Sequence, residues 1–483
     1  MKRARPRPHA RLLPSSATTF LMVVAACLVA ALAAAWPAAA NAGTVARGLA
    51  DYTIVSMTPA DQATALHQIR SELGATYVRF FVSWAQAEPQ QGVVDPSSAY
   101  LQGVASAVSL AHADGLKVMI SFQTVPVWAS DHTYWKQTSG YQPYDAMSPA
   151  HLGDFQTFCD KLATLLRGQV FAYECWNEPN LYGALYPQST RHDPNFAAHL
   201  YVRMLRSFSK GMRAGDPKAL RVAGATAPWG SATPNAFNTS PQRFAAVIKA
   251  TKGWSSLFDA YSHHPYTMGA PEMAPRDPGR DVTLQNLSTL LKIFPTKPFY
   301  LTEYGYQTAP CEAFTGWHVN QVTQANYLRR AYAYAARYKQ VKMLMWYLMN
   351  DFSPPGAAYQ GWYTGLRTAD GTAKAAWYVF AGGDHLSLNT SAAAVKRAAK
   401  LTLSGQVSCT PMGGGLAAKP LVVQSRRPGH PWTTIRTVVS QAAGAYAEPA
   451  GLYSVQVSPK ASAYYRVTWL GVVTSRTLYV AVK

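Results

Sequence analysis

Val170-Phe171-Ala172-Tyr173-Glu174-Cys175-Trp176-Asn177-Glu178-Pro179-Asn180 starts as a short apolar run and ends in carboxylates, an amide and a proline. A near-continuous apolar run suits a strand buried on both faces, as in a parallel sheet covered by helices. The same form recurs outward along the chain. Runs at Ala46–Tyr52, Tyr77–Trp84, Leu116–Phe122, Val170–Trp176, Arg221–Ala227, Phe258–His264, Phe299–Glu303 and Lys342–Leu348 alternate with stretches of helical period. Those stretches are Asp61–Leu73, Tyr100–Asp114, Leu152–Leu166, Phe196–Ala214, Arg243–Thr251, Thr283–Ile293, Gln324–Tyr338 and Ala373–Phe380. Eight such units in roughly 350 residues predict a (β/α)8 TIM barrel with some long loops, an α/β fold.

Beyond an Ala- and Gly-rich stretch near residues 381–399 the period changes to two. Leu401–Val407, Leu421–Gln424, Thr433–Val439, Tyr453–Val457, Tyr464–Trp469 and Thr477–Val482 are short strand candidates split by turn residues, which predicts a small all-β sandwich. The organisation expected is a leader over 1–42, a barrel over 43–390 and a sandwich over 391–483. The leader rests on five basic residues, Lys2, Arg3, Arg5, Arg7 and Arg11, before an apolar run from Phe20 to Ala35, with Ala40-Asn41-Ala42 as a cleavage site. Export with cleavage near Ala42 is the expectation; an uncleaved N-terminal anchor is the competing reading.

At 48% hydrophobic and 14% charged residues, the composition is that of packed globular protein and not of disorder. The formal net charge is +20, of which the leader carries five, and from residue 391 onward 11 Lys/Arg face Glu448 alone. A tail so basic could hold the protein on an acidic cell-envelope polymer; a soluble basic surface is the plainer alternative. Export and the lack of a nucleic-acid motif speak against nucleic acid as partner. Cys159, Cys175, Cys311 and Cys409 remain after the leader, without C-x-x-C spacing, so zinc has no support, and one or two disulfides compete with buried free thiols. H-E-x-x-H, G-x-S-x-G and P-loop strings are missing, so no metal or other cofactor is expected.

In a TIM barrel, polar residues at the carboxyl ends of strands face the site, so Asn177 and Glu178 at the end of the fourth strand are candidate chemistry. Glu303, in Tyr300-Leu301-Thr302-Glu303-Tyr304-Gly305, closes the seventh strand in the same way. Strands four and seven approach one another across the barrel mouth, and two facing carboxylates suit cleavage of a glycosidic bond. One must carry a proton for the leaving oxygen, and the other must be ionised to attack or to stabilise an oxocarbenium-like centre. A separation of about 5–5.5 Å means retention and about 6.5–9.5 Å inversion. Sequence spacing leaves both open.

With W-N-E-P at 176–179 and E-Y-G at 303–305, the block from Val78 to Tyr347 resembles clan A glycoside hydrolases, similar to the family thirty-nine xylosidase and iduronidase group and to the cellulase-like family five. That resemblance implies a retaining enzyme with Glu178 as acid/base, Glu303 as nucleophile and Asn177 on the sugar 2-hydroxyl. It further implies that Arg79 keeps the nucleophile ionised, that His264 lines the substrate site, that Tyr266 donates to the nucleophile, and that Trp346 stacks under the sugar. The string from Trp84 through Glu88 to Gly92 and Asp95 would shape a loop, Glu174 would be structural, and His263 a core or supporting histidine. Trp128, Trp135, Tyr182, Tyr186, Trp229, Trp317 and Trp362 fall in loops after strands, where rings stack on sugars or simply pack the loops. Trp128 is the expected substrate platform among them.

The tail resembles immunoglobulin- or fibronectin-like β modules through Leu401-Thr402-Leu403-Ser404-Gly405, Trp432-Thr433-Thr434 and Tyr464-Tyr465-Arg466-Val467. Its role as glycan binder, envelope anchor or spacer stays open. The function implied is hydrolysis of an extracellular β-linked oligo- or polysaccharide by a secreted monomer. A transglycosylase using the same residues and a catalytically inactive glycan-binding or adhesion protein are the alternatives.

Overall fold

A computed structural model describes residues 45–135, 140–310, 317–353, 361–382, 385–409, 414–443, 450–469, 471 and 473–483. The leader, Cys311 and Glu448 lie outside the described residues, and no described helix is long and apolar enough to cross a membrane.

Eight parallel strands close into a barrel in sequence order: β1 Ala46–Ala50, β2 Tyr77–Ser83, β3 Lys117–Gln123, β4 Val170–Glu174, β5 Leu220–Thr226, β6 Ala260–His263, β7 Phe299–Tyr304 and β8 Val341–Tyr347, which pairs back on β1. The expected TIM barrel is therefore the fold. Alternate strand residues, among them Phe81, Met119, Ala172, Val222, Tyr300, Met343 and Met345, fill the interior as a separate apolar cluster. The intervening residues pack outward against the helices, with Phe80, Ile120, Tyr173 and Leu344 fully buried there.

The helices start where the caps stand. Thr58, Ser98, Ser240 and Asn320 each accept a backbone N–H of the first turn of Pro59–Ser71, Ala99–Ala113, Pro241–Ala250 and Gln321–Ala335. One expectation shortens: helix covers only Ser288–Ile293 of the 283–293 stretch. The Asn286 side chain accepts from the Thr283 backbone N–H at 2.8 Å and donates to the Asp281 carbonyl at 2.8 Å, a local turn that competes with the helix.

The C-terminal region forms two further sheets, of five and six strands. Its first strand, His385–Leu386, precedes residue 391 and pairs with Val407–Ser408. Ala394–Val395 pairs in parallel with Ala481–Val482, whereas the other strand pairs described in this region are antiparallel. Leu403 and Val455 from one sheet and Val423 and Val467 from the other belong to one hydrophobic cluster. The region forms one compact unit with the barrel. Trp469 packs on Tyr378 of the last barrel helix at 4.7 Å between ring centres, and Val473 lines a cavity with Ala46 and Thr76 at the N-terminal ends of β1 and β2. That is the end of the barrel opposite the carboxyl ends of the strands.

Candidate active site

Two backbone irregularities aim the functional side chains. In a regular strand consecutive residues point to opposite faces, yet Asn177 and Glu178 both line the cleft at the barrel mouth. The chain after β4 achieves this with left-handed backbone at Trp176 (φ 73°) and Glu178 (φ 45°), held by Trp176 Nε1–H to the Ala184 carbonyl at 2.8 Å and Glu178 N–H to the Ala225 carbonyl at 2.9 Å. Strained non-glycine backbone of this kind concentrates at functional sites. In β7 the pairing with β8 shifts register between Leu301 and Tyr304. Thr302 and Glu303 can then both turn inward, the re-aiming that a strand irregularity provides.

A fully buried guanidinium organises the floor. Arg79 Nη1 donates to Glu303 Oε1 at 2.7 Å, Nε and Nη2 donate to Glu174 Oε2 at 2.8 and 2.6 Å, and Nη2 also reaches Ser121 Oγ at 2.9 Å and Asn177 Oδ1 at 2.7 Å. Burial opposes ionisation of Glu174, but the charges of Arg79 and His264 outweigh it and hold the carboxyl below its ordinary range. On its other oxygen Glu303 accepts from the Tyr266 hydroxyl at 3.0 Å. Burial, and then the Glu303 charge, push that hydroxyl far above the usual tyrosine value, so Tyr266 stays a donor.

Glu178 meets a different partner. Its Oε1 lies 2.9 Å from His264 Nδ1, and His264 Nε2 lies 3.1 Å from Thr302 Oγ1. The Thr302 hydroxyl spends its one proton on Glu174 Oε1 at 3.0 Å. It can therefore only accept from His264, which places a proton on Nε2. Glu178 and His264 Nδ1 then share one remaining proton. One oxygen of Glu178, one of Glu303 and a nitrogen of His264 lie within 4.8 Å of one another. A cation could use such spacing, but both His264 nitrogens and both Glu303 oxygens already have partners. The nearest oxygens of Glu178 and Glu303 are thus no more than 4.8 Å apart, an approach compatible with the short carboxyl spacing of direct carboxylate attack.

The cleft over this floor has a volume of about 430 Å³. Tyr52, Phe81, Tyr347 and Trp362 line one part of it and Trp229 and Trp317 another. Of the expected substrate-contacting residues, Asn177 and Tyr266 line the cleft. Arg79 and His264 do not; each is fully buried beneath it, touching the carboxylates instead. Trp346 is a correction: it is fully buried on the outward face of β8, its indole N–H donating to the Thr364 carbonyl at 2.8 Å, while Tyr347 faces the cleft. Trp128 is a second correction. Its indole N–H donates to the Glu88 carbonyl at 3.0 Å and its ring packs edge-on against Trp84, away from the cleft lining.

The Trp84–Gly92 segment begins as a one-turn helix, Trp84–Ala87, and only then becomes a loop, with Glu88 accepting from Trp84 Nε1–H at 2.7 Å and Gly92 N–H at 2.8 Å. Phe81, Tyr52, Tyr347 and Thr302 were not among the expected site residues. Phe81 had a usable signal, since it lies two residues after Arg79 on the same strand face, and the guanidinium carbon sits 4.3 Å from its ring centre. Cys159 and Cys175 are buried free thiols.

His263 takes no part in the cleft. Its Nδ1 meets Thr226 Oγ1 at 2.8 Å and its Nε2–H donates to the Val282 carbonyl at 2.9 Å. Burial pushes its pKa down to about 3. A histidine so depressed leaves its stabilisation intact above the unfolded value of 6.5 and loses it as pH falls from there toward about 3. Thermal melts between pH 4 and 7 should show acid destabilisation with about 1.4 kcal/mol per pH unit from this group, and His263→Asn should flatten that slope. An unchanged slope in the variant would remove His263 from the acid limb.

A closed parallel barrel with two facing carboxylates at the carboxyl ends of β4 and β7 defines a clan A glycosidase. Residues 40–351, more than half of the chain, match the family model of cellulase, glycosyl hydrolase family 5, and the chain belongs to that family of retaining glycosidases. No curated protein matches it by sequence. In structure it is similar to a family 39 glycoside hydrolase from Bacteroides cellulosilyticus, with TM-score 0.52 and 18% identity over 91% of this chain and 81% of that one. It is also similar to a family 5 subfamily 18 enzyme from Bifidobacterium longum, with TM-score 0.51 and 16% identity over 70% and 78% of the two chains. A subfamily 18 variant from Streptomyces cattleya in complex with Manb1-4GlcNAc gives TM-score 0.50 and 16% identity over 69% and 79%. At these identities the likeness is one of fold.

Proposed function

We propose that the chain cleaves a β-linked oligo- or polysaccharide outside the cell by double displacement, with Glu303 as nucleophile and Glu178 as acid/base. The observation that carries this reading is the contrast between the two carboxylates. Glu303 accepts from a guanidinium on one oxygen and from a tyrosine hydroxyl on the other, with no proton acceptor facing it. Glu178 faces an imidazole with which it shares a proton. A Glu303 oxygen attacks the anomeric carbon as the Glu178 proton passes to the departing oxygen, and the C–O bond to the leaving group breaks. Glu178, now a carboxylate, takes a proton from water, whose oxygen displaces Glu303 and releases the sugar. The Glu178 side chain is 24% exposed against 8% for Glu303, which suits a group that must meet water in the second step. The basic leader with its A-x-A site supports export, and the rings around the cleft support a sugar occupant.

The test is a panel of aryl β-glycosides and polysaccharides. Wild-type protein should release product from at least one, and Glu178→Ala should lose about 10²–10⁴-fold on substrates with poor leaving groups, with a much smaller loss on an activated aryl group that departs without a proton. Silence across the panel with retained glycan binding would favour a binding protein instead.

A further inference from the structure

The six-stranded sheet of the C-terminal region buries one face. On the strands Pro420–Arg426, Ala463–Trp469 and Leu478–Val482, residues Val423, Val467 and Val480 are fully buried, while Gln424, Arg426, Tyr464, Arg466 and Tyr479 alternate onto the other face. The register places Arg426 opposite Tyr464, and Tyr464 opposite Tyr479. Trp432, just before the strand Thr433–Val439, lies over this row. The Arg466 guanidinium carbon is 4.2 Å from its ring centre and that of Arg426 is 5.0 Å away, with Arg426 also 5.2 Å from the Tyr464 ring. Tyr464 and Tyr479 sit 5.0 Å apart, and Tyr479 is 48% exposed.

Two guanidinium groups stacked on one indole repel each other, and neither has an ion pair with a described carboxylate. Burial first, and then the Arg426 charge, lower the Arg466 pKa. Elsewhere in the molecule a buried guanidinium is matched by carboxylates, as Arg79 is by Glu174 and Glu303. Here the sequence supplies only Glu448 from residue 391 onward. Arg466 Nε donates to Gln424 Oε1 at 2.8 Å; a guanidinium held by stacking in this way can offer its remaining N–H donors to a carboxylate or phosphate.

We propose that this face binds an acidic polysaccharide, its anionic groups on Arg426 and Arg466 and its sugar rings along Tyr464 and Tyr479. Docked on the end of the barrel opposite the catalytic carboxylates, such a site holds the enzyme on a polymer without filling the cleft. It does not depend on which residue is the nucleophile.

The test is calorimetric titration of the full chain with an acidic polymer it leaves intact, such as polygalacturonate or alginate, beside neutral dextran, a single-stranded oligonucleotide and phosphatidylglycerol vesicles. Binding is expected for an acidic polysaccharide and not for dextran. The double variant Arg426→Gln/Arg466→Gln should weaken it at least about tenfold with hydrolysis of a small aryl glycoside unchanged. A second double variant, Lys396→Gln/Lys483→Gln, removes the same charge elsewhere in the region and should leave affinity within about twofold. Arg426→Glu alone, at an exposed position, gives the same reading should the double variant fold poorly. Equal losses in the two double variants, binding only to the oligonucleotide or vesicles, or no binding to any acidic polysaccharide would overturn the proposal.

Discussion

Glu303→Ala is expected to lower kcat/KM on an aryl β-glycoside by about 10⁴–10⁶-fold, because loss of a nucleophile removes the covalent route itself. Arg79 and Tyr266, which bind the Glu303 oxygens, would remain around an emptied space. Azide can enter that space and attack the anomeric carbon from the face that Glu303 uses, so the variant should regain part of its rate and yield the α-glycosyl azide from a β-glycoside. Glu178→Ala should do the reverse: its covalent intermediate already exists, azide attacks in place of water, and the β-azide results. The two product anomers assign the two carboxylates separately. The same azide anomer from both variants would undo the assignment.

The second large effect is expected at Arg79. Arg79→Met leaves Glu174 and Glu303 facing each other's charge below the cleft without the cation that both hydrogen-bond. Removing one partner of a buried ion network costs about 3–5 kcal/mol, and the melting temperature should fall accordingly. The pH dependence should change sign as well. In the wild type Glu174 is held below its ordinary 4.5, so its contribution is present above that value and fades as pH falls. In the variant the cation is gone and burial, which raises the carboxyl pKa, prevails. Stability should then fall as pH rises through the range where the buried carboxyls ionise. Arg79→Lys keeps the charge but loses the fork that serves Glu174, Glu303, Ser121 and Asn177 together. Melts and kcat across pH for the two variants separate charge from geometry; a lysine variant that matches the wild type would mean that the fork carries nothing beyond charge.

All eight barrel strands were legible because both of their faces are buried, which forces apolar runs, and their ends fall within two residues of the expected ones. Glu178 and Glu303 were legible because a carboxylate at the end of such a run has no structural use. The layer around them was not. In Met343-Leu344-Met345-Trp346-Tyr347 two aromatics are adjacent, so composition cannot choose which faces the interior. The pairing does, setting Met343, Met345 and Tyr347 inward and Trp346 outward. Thr302 was hidden for the opposite reason: strict alternation would put it and Glu303 on opposite faces, and only the register shift in β7 brings both in. Trp362 reaches the cleft from a loop, where no periodicity indicates direction.

Proton NMR of the first product formed from a β-glycoside, recorded before mutarotation, tests the central claim most directly. Attack by Glu303 followed by water under Glu178, with one oxygen of each carboxylate within 4.8 Å of the other, predicts that the β-anomer appears first and the α-anomer only later. The α-anomer appearing first would mean single displacement by water, and would contradict Glu303 as a nucleophile.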